Sequence, residues 1–86
     1  MRVKTMATTY QLWDNASNNL IEDYYNEREA LDYVEEEISA YGQAAVSSWA
    51  LLRDDGAGKV VLLAEGDRLV AYAQHARDAR VPTTGE

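Results

Sequence analysis

The apolar and polar positions divide the chain into two halves of similar layout. Alternation from Thr8 to Trp13 predicts a strand, and Leu20 to Tyr25 predicts the strand that returns after a loop rich in Asn and Ser. Asn26 is a suitable helix cap. Apolar residues then recur every three or four positions and form one helical face: Leu31, Val34, Ile38 and Tyr41. Gly42 predicts the end of this helix.

The second half has the same order with a tighter hairpin. Trp49 to Arg53 and Lys59 to Ala64 predict two strands, because the Asp-Gly step and second glycine between them are typical of a hairpin turn. Asp67 is a candidate cap for a second helix. The narrow apolar stripe of that helix consists of Leu69, Val70, Ala73 and Ala76. The stretch 43–48 fits either a further helical turn or a loop.

A shift of 39 residues places Leu12 on Leu51 and Leu31 on Val70, which suggests an internal repeat. The sequence therefore predicts an α+β fold of order ββαββα, with a four-stranded, mainly antiparallel sheet and both helices on one face. The alternative arrangement has the helices on opposite faces. We expect one domain over residues 8–79, a disordered or loosely held N-terminal extension over 1–7, and a flexible tail over 80–86.

Charge is concentrated in one segment of the chain. The net charge is −7, and residues 22–37 hold eight acids against one base, so the acids and bases elsewhere cancel. An acidic domain repels the phosphate backbone, which argues against binding to nucleic acid. Glu29, Asp32, Glu35 and Glu36 lie at helical spacing in this segment. They form a candidate docking surface for a basic protein partner, although a solvated helix face is the simpler interpretation.

Residues that could carry chemistry are few. The chain has no cysteine and no apolar run long enough to cross a bilayer, so we expect a cytoplasmic protein with no disulfides and no contact with membranes. His75 is the sole histidine and fits a solvated helix position. No phosphate-binding or calcium-binding loop is recognisable. We therefore predict no catalytic residue, no metal and no cofactor.

The second hairpin suggests self-association, because both of its strands are apolar on both faces. Two helices can cover one face of the sheet, and a second copy of the chain is the simplest cover for the other. We therefore predict a homodimer. The residues expected at its interface are Trp49, Leu51, Val61 and Leu63, with Trp13 as a further participant.

Five segments carry a resemblance: YQLWD (10–14), NLI (19–21), EAL (29–31), WAL (49–51) and LAEGD (63–67). The chain resembles short bacterial proteins with this layout over nearly its whole length, which implies a stand-alone prokaryotic domain and no particular activity. The first hairpin and its helix also resemble the opening of HicB-like antitoxins. The chain differs from that family in lacking a third strand before the helix and a DNA-binding segment after Ala76, so no functional residue is carried over.

Three functions follow as hypotheses. The first is a non-enzymatic module that binds protein or assembles with itself, because the candidate chemistry is sparse. The second is an acidic, antitoxin-like regulator that masks a basic protein partner. A small enzyme is the third.

Overall fold

The computed structural model describes the backbone of residues 7–80 and the side chains of residues 7–78. The strands are β1 (Thr9–Asp14), β2 (Asn19–Tyr24), β3 (Trp49–Asp54) and β4 (Val60–Glu65), and the helices are α1 (Glu27–Tyr41) and α2 (Asp67–Arg80). A short 3-10 turn, Gln43–Val46, precedes β3. The predictions for residues 1–6 and 81–86 lie outside the described residues.

All three strand pairings are antiparallel, and the order across the sheet is β2-β1-β3-β4. The order ββαββα and the four-stranded sheet are therefore confirmed. The two hairpins meet through β1 and β3, where Leu12 pairs with Leu51. This arrangement leaves β2 and β4 at the two edges of the described sheet.

Both helices cover the same face of the sheet, as predicted. Leu12 and Leu51 are fully buried in one core that also includes residues of α1, α2 and the 3-10 turn. The helical contributions to this core are Ala30, Leu31, Val34, Leu69, Val70 and Ala73. Val46 of the 3-10 turn is also fully buried, so the segment that the sequence left ambiguous closes one end of the core.

The predicted caps and turns have clear physical causes. The Asn26 side chain accepts a hydrogen bond from the Glu29 backbone N–H at 2.8 Å, which satisfies an N-terminal donor of α1. Gly42 has a φ of 94° and ends this helix. In the second hairpin, the Asp55 carboxylate accepts hydrogen bonds from the Ala57 and Lys59 N–H groups. Asp67 is the first residue of α2 rather than the residue before it.

The two ββα units share a structural detail that supports the suggested repeat. Each outer strand carries an extra residue, opposite the Leu12/Trp13 step in the first unit and opposite the Leu51/Leu52 step in the second. These two bulges are 39 residues apart along the central strands, the same shift that relates the sequences. A bulge increases the local twist of a strand. The halves therefore curve in a similar way around a shared core.

Hydrogen bonds to the Asp14 side chain link the end of β1 to the residue that precedes β3. The Asp14 carboxylate accepts hydrogen bonds from the Ser48 hydroxyl at 2.7 Å, the Ala16 backbone N–H at 3.0 Å and the Ser17 hydroxyl at 3.1 Å. These bonds favour the charged form, and the Ser48 bond contributes most to holding the pKa of Asp14 below its usual value. The first hairpin loop is thereby held against the second unit.

Candidate functional site

The sheet face opposite the helices carries a band of apolar side chains. We call this face the open face, and its band consists of Trp13, Leu20, Leu52, Val60 and Leu62. Strand alternation places these residues opposite to Leu12 and Leu51, and Trp13 pairs with Leu20 just as Leu52 pairs with Leu62. The exposed fractions are 44% for Leu20 and 50% for both Val60 and Leu62. The band therefore runs diagonally from β2 to β4.

The residues predicted for self-association fall on both faces of the sheet. Trp13 lies on the open face, half-buried, and its indole N–H donates to the Gln11 side chain at 2.9 Å. Trp49 and Leu51 are buried beneath the helices, and Trp49 stacks on Tyr33 with 5.8 Å between the ring centroids. Their side chains are out of reach of a partner on the open face.

Val61 and Leu63 also lie on the helix side of the sheet. Val61 pairs with Arg53, which shares its face with Leu51, and Leu63 packs against the core. Sequence reasoning therefore missed four residues of the band: Leu20, Leu52, Val60 and Leu62. The available signal was that both faces of the second hairpin are apolar, but this pattern did not reveal which face the helices cover.

The apolar band reaches the edge of the sheet at β4. In the part of the chain that the structure describes, β4 pairs with β3 alone. A groove of about 310 Å³ follows this edge and is lined by residues of β4 and of the first turn of α2: Leu62, Leu63, Ala64, Glu65, Asp67 and Arg68. Strand β2, at the other edge, carries the acids Glu22 and Asp23. The two edges therefore differ in polarity.

The predicted acidic docking residues lie on α1, but not all in the same environment. Glu29, Asp32 and Glu36 are exposed, and we call these three the acidic surface. Glu35 is turned toward α2, with a side-chain exposure of 19% and its Oε2 atom 3.8 Å from the Arg77 Nε atom. Apart from this electrostatic contact, Oε2 has no hydrogen-bond partner in the structure. Three of the four acids thus lie at the surface of α1.

A groove of about 220 Å³ lies between the helices, beside Glu35 and Arg77. Ile38, Ser39 and Gln74 complete its lining. The groove is smaller than most sites that enclose a small molecule. Its lining includes one loosely paired carboxylate, and His75, which follows Gln74 on α2, is exposed and is not among the lining residues.

Two tyrosines near α1 have raised pKa values. Burial, together with a hydrogen bond that the Tyr72 hydroxyl donates to Glu27, raises the pKa of Tyr72 to about 12. Burial and the neighbouring charge of Glu22 raise the pKa of Tyr24 to about 12. Both phenols are therefore neutral at physiological pH, and they act as packing groups with a polar tip.

The described residues contain no group of three or more His, Asp or Glu side chains that could hold a metal ion. Within the same residues, neither helix is long and apolar enough to span a membrane. No protein-family model matches the chain, and no curated protein or solved structure shows significant similarity to it. The open face, the β4 edge and the acidic surface are the features of this structure that bear on function.

Proposed function

We propose that this protein is a non-enzymatic binding module that associates with itself through the apolar band of the open face. The observation that carries the proposal is the uncovered band itself. Burying apolar surface lowers the free energy by about 25 cal/mol per Å², and contiguous apolar patches of this kind commonly mark interaction sites in soluble proteins. Val60 and Leu62 are the most exposed members of the band, so they have the most apolar surface to bury.

The charge distribution allows a second copy of the chain to be the partner. Between residues 49 and 80 the sequence has five acids and five bases, so the second hairpin and α2 carry no net charge. The excess acids lie on β2 and α1, at the opposite side of the sheet from β4. Two copies can therefore meet at the β4 end of the band without bringing their acidic segments together.

Sedimentation equilibrium at tens of micromolar protein tests this function. We expect a species of twice the 9.6 kDa chain mass. Leu62→Lys should sediment as a monomer, because each interface would then have to desolvate two ammonium groups. Tyr41→Lys, at an exposed position on α1, is the matched control and should remain dimeric. A wild-type protein that sediments at 9.6 kDa under these conditions contradicts the proposal.

The acidic surface supports a second candidate, a regulator that masks a basic protein. The supporting observation is that Glu29, Asp32 and Glu36 are exposed on the helix that holds most of the excess negative charge. Association with a basic partner should weaken as salt is raised, and the double variant Glu29→Lys/Glu36→Lys should weaken it further. Binding that is indifferent to both changes would exclude this candidate.

A further inference from the structure

We infer that self-association, which rests on the function proposed above, occurs by antiparallel pairing of β4 with β4 of a second copy, so that two four-stranded sheets become one continuous sheet. The outer edge of β4 offers backbone N–H and C=O groups that no described strand pairs. Such an edge is a template for another strand unless the sequence protects it. Within β4, only the final residue, Glu65, is charged.

The comparison with the other edge supports the choice of β4. Glu22 and Asp23 lie within β2, and two copies meeting along β2 would bring these acids together. Like charges on neighbouring strands destabilise a sheet. Charged residues within an edge strand hinder its pairing with another chain. Strand β2 has such residues, whereas the first half of β4 has none.

The bulge in β4 defines which part of the strand can pair. Leu52 pairs with Leu62 and Leu51 pairs with Ala64, so Leu63 is the extra residue. The stretch Val60–Leu62 precedes this bulge and has regular alternation. A two-fold axis at Val61 would set Val60 opposite Leu62 of the second copy, with both side chains on the open face. The two exposed ends of the apolar bands would then lie side by side on the open face, and each would shield part of the other from water.

Charges at the ends of β4 are complementary in this antiparallel arrangement. Lys59 precedes the strand and Glu65 is its last residue, and both are exposed. Antiparallel pairing brings the basic end of each strand toward the acidic end of its partner. Strand alternation places Lys59 on the side opposite Val60, whereas Glu65 pairs with Ala50 and lies on the open face, so the opposite charges attract each other at a distance and form no direct ion pair. The surface is therefore complementary to itself in hydrogen bonding, apolarity and charge.

Disulfide trapping tests the pairing, because the chain has no cysteine of its own. Paired residues in antiparallel strands have Cα atoms about 4.5 to 5.5 Å apart, within the range that a disulfide can bridge. Val60→Cys and Leu62→Cys proteins, mixed and mildly oxidised, should form the mixed disulfide in a yield several-fold above that of Tyr41→Cys, an exposed control on α1. Each single variant alone should cross-link less than the mixture.

A charge swap gives an independent readout of the same pairing. Lys59→Glu should weaken dimerisation roughly twofold to threefold, because it replaces a long-range attraction between exposed charges with a repulsion. The double variant Lys59→Glu/Glu65→Lys should restore it. The Lys59 backbone N–H donates to Asp55, so replacing the side chain leaves this turn bond in place.

The outcomes distinguish the β4 pairing from the proposed self-association on which it rests. A wild-type protein that is monomeric would contradict both the self-association and the β4 pairing. A dimer in which the Val60→Cys and Leu62→Cys mixture cross-links no better than Tyr41→Cys overturns the β4 pairing and leaves self-association standing. Strong cross-linking of Leu20→Cys, which lies at the far end of the open face, would then identify face-to-face stacking of the sheets. Mixed-disulfide formation together with rescue by the charge swap supports the continuous sheet.

Discussion

The Tyr72 hydroxyl on α2 forms a hydrogen bond that links the two helices. The Tyr72 ring packs against the core, and its hydroxyl donates a hydrogen bond to Glu27 in the first turn of α1. A negative carboxylate is also favoured there by the helix dipole. The chain has six tyrosines and no phenylalanine, and Tyr72 shows a use for the hydroxyl: it ties the apolar ring to a charged group at the surface.

The titration of Tyr72 predicts a loss of stability at alkaline pH. The folded state holds the pKa near 12, above the ordinary value of 10.0, because burial and the bond to Glu27 favour the neutral phenol. The unfolded chain therefore loses its proton first. The stabilisation is complete below pH 10 and is lost as the pH rises from about 10 to about 12. Tyr24 is shifted in the same direction and adds to the effect.

Urea denaturation of Tyr72→Phe at neutral and alkaline pH measures this contribution. The variant should lose about 1.5 kcal/mol at pH 7, the lower end of the range for a hydrogen bond to a charged group, because the bond is only partly buried. Its stability should also fall less steeply than that of the wild type above pH 10. Tyr41→Phe, at a position that is 73% exposed, should match the wild type at pH 7. Parallel alkaline slopes for the wild type and Tyr72→Phe would contradict the assignment.

At the scale of elements, the tight link between β4 and α2 depends on Gly66. Its φ of 59° lies in the left-handed region, and its backbone N–H donates to the Trp49 carbonyl at 3.0 Å. Its own carbonyl accepts from the N–H groups of Leu69 and Val70. One residue thus ends a strand, holds it to β3 and begins a helix. A side chain is disfavoured there mainly by the backbone conformation.

The loss of stability on substituting Gly66 should depend on how well the new residue tolerates a positive φ. Gly66→Ala should destabilise the protein by about 1 kcal/mol or more, because an L residue with a Cβ atom is strained in this region. Gly66→Asn should cost less, since asparagine enters it more readily. A Cβ atom at this position would lie 3.4 Å from the Ser47 carbonyl oxygen, which is an ordinary contact. The difference in stability between the two variants therefore reports the backbone conformation and not a steric clash. Equal thermal stabilities for the two variants would contradict this ranking.

At the scale of the whole molecule, the described fold is a two-layer structure with helices on one side and no second cover for the sheet. If a second copy provides part of that cover, stability depends on protein concentration. Raising the concentration from about 1 to about 100 μM should stabilise the dimer by up to about 2.7 kcal/mol, which corresponds to several degrees in Tm. Leu62→Lys should melt at a temperature that does not depend on concentration. A wild-type Tm that is constant over this range would contradict dimerisation.

Local chemistry in the sequence was sufficient to predict the elements and their order. Asn26, Gly42 and the Asp-Gly turn act on neighbouring backbone groups, so their effects do not depend on distant contacts. The apolar period of α1 identified Leu31 and Val34, which are buried, and Ile38, which packs partly against the core. It was wrong for Tyr41, which lies in the last turn of α1 and is 73% exposed. Short connections then favoured two hairpins, and two helices of this length favoured a single covered face.

Only the tertiary structure decided which side chains the helices cover. In β3 and β4 both faces are apolar, so alternation along the strand does not distinguish Leu51 from Leu52. The pairing of Leu12 with Leu51 sets this choice, because residues paired across strands share a face. The same long-range contacts bury Val46 and turn Glu35 toward Arg77. Residues distant in sequence determine these outcomes, so the open face with its band at β4 becomes visible only once the strands are paired.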